Sequence, residues 1–126
     1  MGYRSNVALA LTAKGVSEMN MAIANLDKPT HALVTDFLDY TDRHALDLDS
    51  KSEAYCWDGV KWYYGEPDID FFENFMRNLD REDFRFIRIG DDYDDTEVRG
   101  GFTENPFDME LARDITFDNS RVMQVA

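Results

Sequence analysis

The residues best suited to chemistry are the carboxylates of one acidic segment, Asp91-Asp92-Tyr93-Asp94-Asp95-Thr96-Glu97. Carboxylates this close together could hold a divalent cation or could form a surface that binds a basic partner. A calcium-binding loop of the EF-hand type closes with a Glu at its twelfth position. Counted from Asp92, the twelfth position is Thr103. The spacing therefore favours an acidic binding surface, or simply a solvated loop, over a cation site.

Other residue types that could support catalysis are poorly placed. Acid pairs of the glycosidase or nuclease kind must converge in a cleft, and a chain rich in acids produces coincidental pairs. The single cysteine, Cys56, lies in a predicted strand, where it fits a small buried side chain better than a nucleophile. Neither His31 nor His44 has metal-ligand spacing. We therefore predict that the protein is not an enzyme and binds no metal or cofactor.

The overall charge points to a basic partner. The 126 residues include 26 Asp/Glu and 13 Lys/Arg, a formal net charge of -13. The C-terminal half, from about residue 67, is the more acidic half. Such charge repels nucleic acid and anionic membrane and attracts basic protein surfaces. We predict that the partner is bound by one set of residues: Asp91, Asp92, Tyr93, Asp94, Asp95, Glu97, Glu104 and Asp108.

Hydrophobic periodicity predicts alternating strands and helices. Residues 3–12 alternate as a strand does, and residues 14–25 repeat their apolar positions at helical spacing. Pro29 and Pro67 each suit the first turn of a further helix. Strands are expected at 84–89 and around 96–99, a short helix from Asn105 to about Arg113, and an edge strand at 115–117. Residues 42–50 are predicted to be a polar loop.

The pair Asp58-Gly59 indicates a two-residue hairpin, because Asp-Gly is a preferred turn pair between strands. Lys51–Trp57 and Val60–Tyr64 would then be its two arms. In that register Tyr55 faces Trp62, and the aromatic face packs beneath the third helix rather than binding nucleic acid.

These elements predict a single α+β domain over residues 1–126. The expected architecture is an antiparallel or mixed sheet of about four to five strands with the two-residue hairpin at its centre. Two to three helices would pack on one face. The N-terminal residues lack the pattern of a secretion signal and no stretch reaches membrane-spanning length, so a cytoplasmic location is expected. The oligomeric state stays open.

Several segments resemble a group of small acidic proteins encoded mostly by bacteriophages and prophages. The matching segments are Met1-Gly2-Tyr3-Arg4-Ser5-Asn6-Val7-Ala8-Leu9, Trp57 with Lys61-Trp62-Tyr63, Asp70-Phe71-Phe72-Glu73, and Phe86-Ile87-Arg88-Ile89-Gly90-Asp91-Asp92-Tyr93-Asp94-Asp95. They span most of residues 1–97. The resemblance brings no catalytic residue. It implies a viral accessory protein in the cytoplasm of a host cell, a class that often inhibits host or defence machinery.

Three functional hypotheses follow. The first is a phage-encoded inhibitor of a host nucleic-acid-binding or defence protein, of an anti-restriction or anti-CRISPR type, in which carboxylates mimic nucleic acid. The second is a small regulator or scaffold that assembles through apolar surface. The third is a metal-dependent enzyme that uses the acidic loop. The three differ in salt dependence and in cation binding.

Overall fold

A computed structural model describes residues 2–92 and 94–111, with three helices against one face of a five-stranded sheet. The strands are β1 (Ser5–Leu11), β2 (Arg43–Leu46), β3 (Glu53–Val60), β4 (Phe84–Gly90) and β5 (Thr96–Arg99). The helices are α1 (Ala13–Ala24), α2 (Lys28–Asp39) and α3 (Pro67–Asn78). The sheet order is β2-β3-β1-β4-β5, and every neighbouring pair is antiparallel. The predicted α+β class is confirmed.

Strand β1 lies at the centre of the sheet because its helix-facing side chains are all apolar or small. Val7, Leu9 and Leu11 are at most 2% exposed. Leu9 pairs with Tyr55 on one side and with Phe86 on the other. Alternate residues of β1 point to the opposite face, as the two-residue period of a strand requires.

The helices begin where the sequence supplies caps. The Thr12 hydroxyl accepts a hydrogen bond from the Gly15 N–H at 3.1 Å, and the Asp27 carboxylate accepts one from the Thr30 N–H at 3.2 Å. Each cap satisfies a backbone donor that the first turn leaves free. Pro67 begins α3 without a side-chain cap, as expected for a residue that has no N–H and a fixed φ.

The predicted hairpin at Asp58-Gly59 is wrong, because β3 continues through both residues to Val60. Two residue steps of β1, from Ser5 to Val7, face three steps of β3, from Val60 back to Trp57, which is a β-bulge. Gly59 has φ +66°, the conformation that glycine adopts most readily. The Asp-Gly pair therefore marks a bulge here. Of the aromatic face predicted to pack in the core, Tyr55, Trp57 and Trp62 are at most 7% exposed, as expected, whereas Tyr64 is 65% exposed, so its predicted burial is wrong.

Two other local predictions are wrong. Arg43–Leu46 lies within the predicted loop 42–50 but forms the edge strand β2, paired with β3. Residues 105–111 form a turn and irregular structure instead of the start of a helix. The Asn105 side chain accepts hydrogen bonds from the N–H groups of Phe107 and Met109, and Asp108 has φ +50°, which a helix does not allow. The strand expected at 115–117 lies outside the described residues.

The segment after β5 crosses the face of the sheet opposite the helices. The Phe102 N–H donates to the Phe84 carbonyl at 3.0 Å, at the start of β4. Further along, Met109 and Glu110 line a cleft with Ile89, near the end of the same strand. The sheet is thus covered by helices on one face and partly by this segment on the other.

Candidate functional site

The acidic segment forms the turn between β4 and β5 at the end of the sheet where β1 begins. The Gly90 N–H donates to the Asp95 carbonyl at 2.8 Å, and the Asp95 N–H donates to the Asp92 carbonyl at 3.0 Å. Gly90 also pairs with Ser5 of β1. The turn therefore closes on itself beside the N-terminal segment, and we call Asp91, Asp92, Asp94 and Asp95 the acidic turn.

The N-terminal segment holds the acidic turn through three hydrogen bonds. The Tyr3 hydroxyl donates to Asp95 Oδ2 at 2.6 Å and accepts from the Asp92 N–H at 3.0 Å. The Arg4 N–H donates to Asp91 Oδ2 at 2.9 Å. These bonds join positions about ninety residues apart in sequence. Because they reach both ends of the turn, they restrict the directions in which its carboxylates can point.

The charge of Asp95 is neutralised by an ion pair with Arg88 of β4. The guanidinium contacts both carboxylate oxygens, at 2.7 and 3.0 Å, in the two-point geometry that favours Arg–carboxylate pairs. The hydrogen bond from Arg88, followed by that from Tyr3, lowers the pKa of Asp95 to about 2. The same pairing raises the pKa of Arg88. Asp95 therefore fixes the turn and contributes little free charge to its surface.

Glu97 is also paired within the fold. Arg88 contacts it at 2.8 Å, and Arg99 lies 3.5 Å away on the same face of the sheet. Arg99 in turn binds Glu73 of α3 at 2.7 Å, and the Trp62 indole N–H donates to Glu73 at 2.9 Å. This chain of contacts links the acidic turn to the core beneath α3. Asp95 and Glu97, which the sequence predicts as contact residues, are thus paired with arginines within the fold.

The carboxylates of Asp91, Asp92 and Asp94 remain exposed on the acidic turn. None of the three forms an ion pair with a Lys or Arg among residues 2–92 and 94–111. Tyr93, predicted to anchor the contact, lies outside the described residues. The three exposed aspartates are thus the part of the predicted site that carries unbalanced charge.

Glu104 and Asp108 lie at the opposite end of the sheet. They line an open cleft of about 560 Å³ together with Asp47 and Ser50 of the β2–β3 connection. The acidic turn follows the last residue of β4, whereas Phe102 is bonded to the first. At roughly 3.3 Å per residue, the seven residues of β4 separate Phe102 from the acidic turn by about 20 Å. From Phe102 the chain runs back along the sheet, so that Met109, next to Asp108, lines a cleft with Ile89. The structure therefore divides the predicted contact set into two acidic surfaces.

The other residues considered for chemistry lie in ordinary positions. Cys56 is half-buried in β3, and burial raises the pKa of its thiol, which disfavours the reactive thiolate. His31 is exposed in α2, and His44 Nε2 lies 2.6 Å from Glu53 Oε1 on the edge strand. Within the described part of the chain, no three His, Cys, Asp or Glu side chains are grouped as metal ligands.

Sequence reasoning missed the residues that position the acidic turn: Tyr3, Arg88, Arg99 and Glu73. A signal for part of this set exists, because Arg88 stands directly opposite Glu97 in the β4–β5 register. Two strands joined by a short turn place such charges side by side on one face. The contribution of Tyr3 depends on the β1–β4 pairing, which no local pattern reveals.

Comparisons with known proteins give no family for this chain. No helix in the described residues has the length and apolar character that crossing a membrane requires. Searches against protein-family models, curated proteins and solved structures each find no match.

Proposed function

We propose that this protein is a non-enzymatic binding protein whose exposed aspartates occupy a basic, nucleic-acid-binding surface of another protein. Asp91, Asp92 and Asp94 are the contact residues, and Asp95 and Glu97 hold them in position. The observation that carries the proposal is that Asp91, Asp92 and Asp94 are exposed and form no ion pair among the described residues. The turn that carries them is fixed by hydrogen bonds from Tyr3, Arg4 and Arg88.

The spacing of the charges suits a surface built for nucleic acid. Duplex DNA presents one negative charge per about 1.7 Å of its axis, so a groove that binds it holds several Lys or Arg side chains close together. Three aspartates within four consecutive positions offer a comparable local density. Because the turn is already ordered by hydrogen bonds, binding loses less conformational freedom than a flexible acidic tail would.

The rest of the molecule supports the same partner. A net charge of -13 attracts a basic surface over a distance set by the ionic strength, about 8 Å at physiological salt. The same charge keeps the protein from binding nucleic acid itself. The second acidic surface, with Glu104 and Asp108, lies in a separate cleft beside the β2–β3 connection and adds to the long-range field.

The biological role that fits this chemistry is inhibition. A protein that fills a nucleic-acid groove competes with the nucleic acid for it, which is the mode of action expected of a phage protein directed at a host restriction or CRISPR-type complex. The resemblance to phage-encoded acidic proteins supports this role, which the protein would carry out in the cytoplasm of the host cell.

The test is capture of a partner from lysate of the host, with three forms of the tagged protein. These are the wild type, the triple variant Asp91→Asn, Asp92→Asn, Asp94→Asn, and a charge-matched control. The control is the triple variant Asp36→Asn, Asp39→Asn, Asp49→Asn, whose exposed carboxylates make no described hydrogen bond or ion pair. Each capture is repeated at low and high salt and with duplex DNA as competitor.

We expect the wild type and the control to retain a common partner that DNA and high salt both release. The acidic-turn variant should lose it. Equal loss in both triple variants would mean that only net charge matters, and a partner that resists DNA competition would exclude a nucleic-acid groove as the binding surface. Either result would overturn the proposal.

A further inference from the structure

Helices α1 and α3 form the two walls of an open apolar groove that the acidic turn does not touch. The α1 wall consists of Glu18, Met21 and Ala22 together with Asn25, which caps the C-terminus of α1; their spacing is i, i+3, i+4, i+7. The α3 wall repeats this spacing over its whole length: Pro67, Asp70, Phe71, Asn74, Phe75 and Asn78. Residues with this spacing share one face of a helix, so each helix turns a continuous stripe toward the groove.

The groove has the dimensions of a short helix. Its volume is about 800 Å³. The α3 wall runs from Pro67 to Asn78, which at ~1.5 Å per residue is about 16 Å, or three helical turns. Two helices that each turn a stripe toward an open groove can receive the apolar face of a third helix between them. Leu26, from the connection to α2, contributes further apolar surface.

The groove is lined by apolar side chains together with two carboxylates and four uncharged polar side chains: Glu18, Asp70, Asn25, Thr30, Asn74 and Asn78. Phe71 and Ala22 are partly exposed, and Met21 is 61% exposed, although it is a large apolar residue. Methionine adapts its shape to a bound partner more easily than a branched side chain does. The ionised side chains that line the groove are Glu18 and Asp70, and within the described residues no Lys or Arg lines it.

We propose that this groove binds an amphipathic helix of a partner protein, with an apolar stripe at i, i+3/i+4, i+7 and with Lys or Arg along its flanks. The apolar stripe would lie against Met21, Ala22 and Phe71, and the basic flanks would meet Glu18 and Asp70. Helix-in-groove recognition uses this combination of apolar anchors and complementary charge. The proposal does not depend on the acidic turn.

The probe is a fluorescein-labelled synthetic peptide long enough to form three or more turns, with Leu at helical spacing and Lys and Arg on both sides. One control peptide has the same composition with the leucines scrambled. A second keeps the leucine stripe and carries Glu in place of the basic residues. Binding to the whole protein is measured by fluorescence anisotropy, and its location by amide chemical-shift changes.

We expect the first peptide to bind at least about tenfold more tightly than either control, because both the stripe and the charge are required. The shift changes should fall on α1 and α3. The variant Met21→Lys should weaken binding about tenfold. Leu48→Lys, which also replaces an exposed apolar side chain with lysine, should change binding less than about twofold. The triple asparagine variant of the acidic turn should bind the peptide normally, which separates this test from that of the proposed function.

Three results would overturn this inference. One is equal binding of the ordered and scrambled peptides, and another is an equal effect of Met21→Lys and Leu48→Lys. The third concerns the other possible occupant, a second copy of this chain. If sedimentation shows a dimer that Met21→Lys dissociates, the groove is a self-association surface and not a partner site.

Discussion

The Tyr3 hydroxyl donates a 2.6 Å hydrogen bond to the Asp95 carboxylate across 92 positions of sequence. The same hydroxyl accepts a hydrogen bond from the Asp92 N–H. One side chain near the start of the chain therefore forms hydrogen bonds with both sides of the acidic turn. The orientation of the exposed aspartates therefore depends on the pairing of β1 with β4. Tyr3, together with Arg4 and Arg88, thus connects the candidate site to the topology of the sheet.

Replacing Tyr3 with Phe should loosen the acidic turn without unfolding the protein. The phenyl ring keeps the packing area, but the hydrogen bonds to Asp95 and Asp92 are lost. Amide hydrogen exchange should accelerate from Asp91 to Thr96 and stay unchanged in the helices. Tyr40→Phe is the control, because Tyr40 is 77% exposed and its hydroxyl has no described partner. Unchanged exchange in the turn would show that Tyr3 does not hold it.

Protonation of Asp95 should lower the free energy of unfolding at acidic pH. Its pKa is lowered from 3.8 to about 2 in the folded protein, chiefly by Arg88. A carboxyl group with a lowered folded pKa stabilises the protein fully above its unfolded pKa, and this contribution is lost as the pH falls through the folded pKa. The window is therefore about pH 4 down to about pH 2.

Two measurements check this window. Titration of the Asp95 carboxyl carbon by NMR should give a midpoint near 2, and the free energy of unfolding should fall less steeply between pH 4 and pH 2 in Asp95→Asn than in the wild type. A midpoint near 4 would mean that the pairing with Arg88 does not persist in solution.

Removing the Glu73 carboxylate should lower the free energy of unfolding, because this side chain connects α3 to the residues next to the acidic turn. Replacement by Ala leaves the Trp62 N–H and the Arg99 guanidinium without their shared acceptor. We expect a loss of about 2 to 3 kcal/mol in urea unfolding, because breaking a largely buried pair leaves the remaining polar groups unsatisfied. Glu73→Gln keeps an acceptor oxygen and should cost about 1 kcal/mol. Equal small losses in both variants would show that the network adds no stability.

Gly100 should tolerate a side chain less well than Gly65. Both residues have positive φ, +89° and +96°, so alanine strains the backbone at each. A Cβ at Gly100 would also collide with the Phe84 carbonyl, whereas nothing lies within 4 Å of a Cβ at Gly65. We expect urea unfolding to show a loss of about 1 kcal/mol for Gly65→Ala and at least about twice that for Gly100→Ala. A larger loss for Gly65→Ala would contradict the close approach of Gly100 to Phe84.

The α+β class could be predicted because the strongest local patterns agree with the final packing. Strand β1 alternates cleanly, and the apolar stripe of α3 is wide. Thr12, Asp27 and Pro67 mark helix starts by their own chemistry. Each of these signals acts within one element and needs no knowledge of its neighbours.

The Asp58-Gly59 error shows where local reasoning stops. Glycine at positive φ serves a hairpin turn and a bulge equally well, so the dipeptide alone cannot distinguish them. The bulge is set by tertiary contacts: the Gly59 N–H donates to the Asn6 side chain, and the Arg4 guanidinium donates to the Gly59 carbonyl. Strand β2 was missed for a related reason, since its four residues are exposed and only pairing with β3 defines them.

The site was predicted in part. The sequence identified the acidic segment as the densest charge, but charge density does not reveal which carboxylates are neutralised in the fold. Asp95 and Glu97 pair with Arg88 from the preceding strand, and this depends on register. Glu104 is separated from the turn by the length of the sheet, which only the topology determines.

Zero-length carbodiimide crosslinking of the captured complex identifies the carboxylates that touch the partner, because it joins a carboxylate only to an amine in contact with it. We expect Asp91, Asp92 or Asp94 to become joined to lysines of the partner's nucleic-acid-binding surface. Crosslinks confined to Glu104 and Asp108, or to lysines remote from that surface, would contradict it.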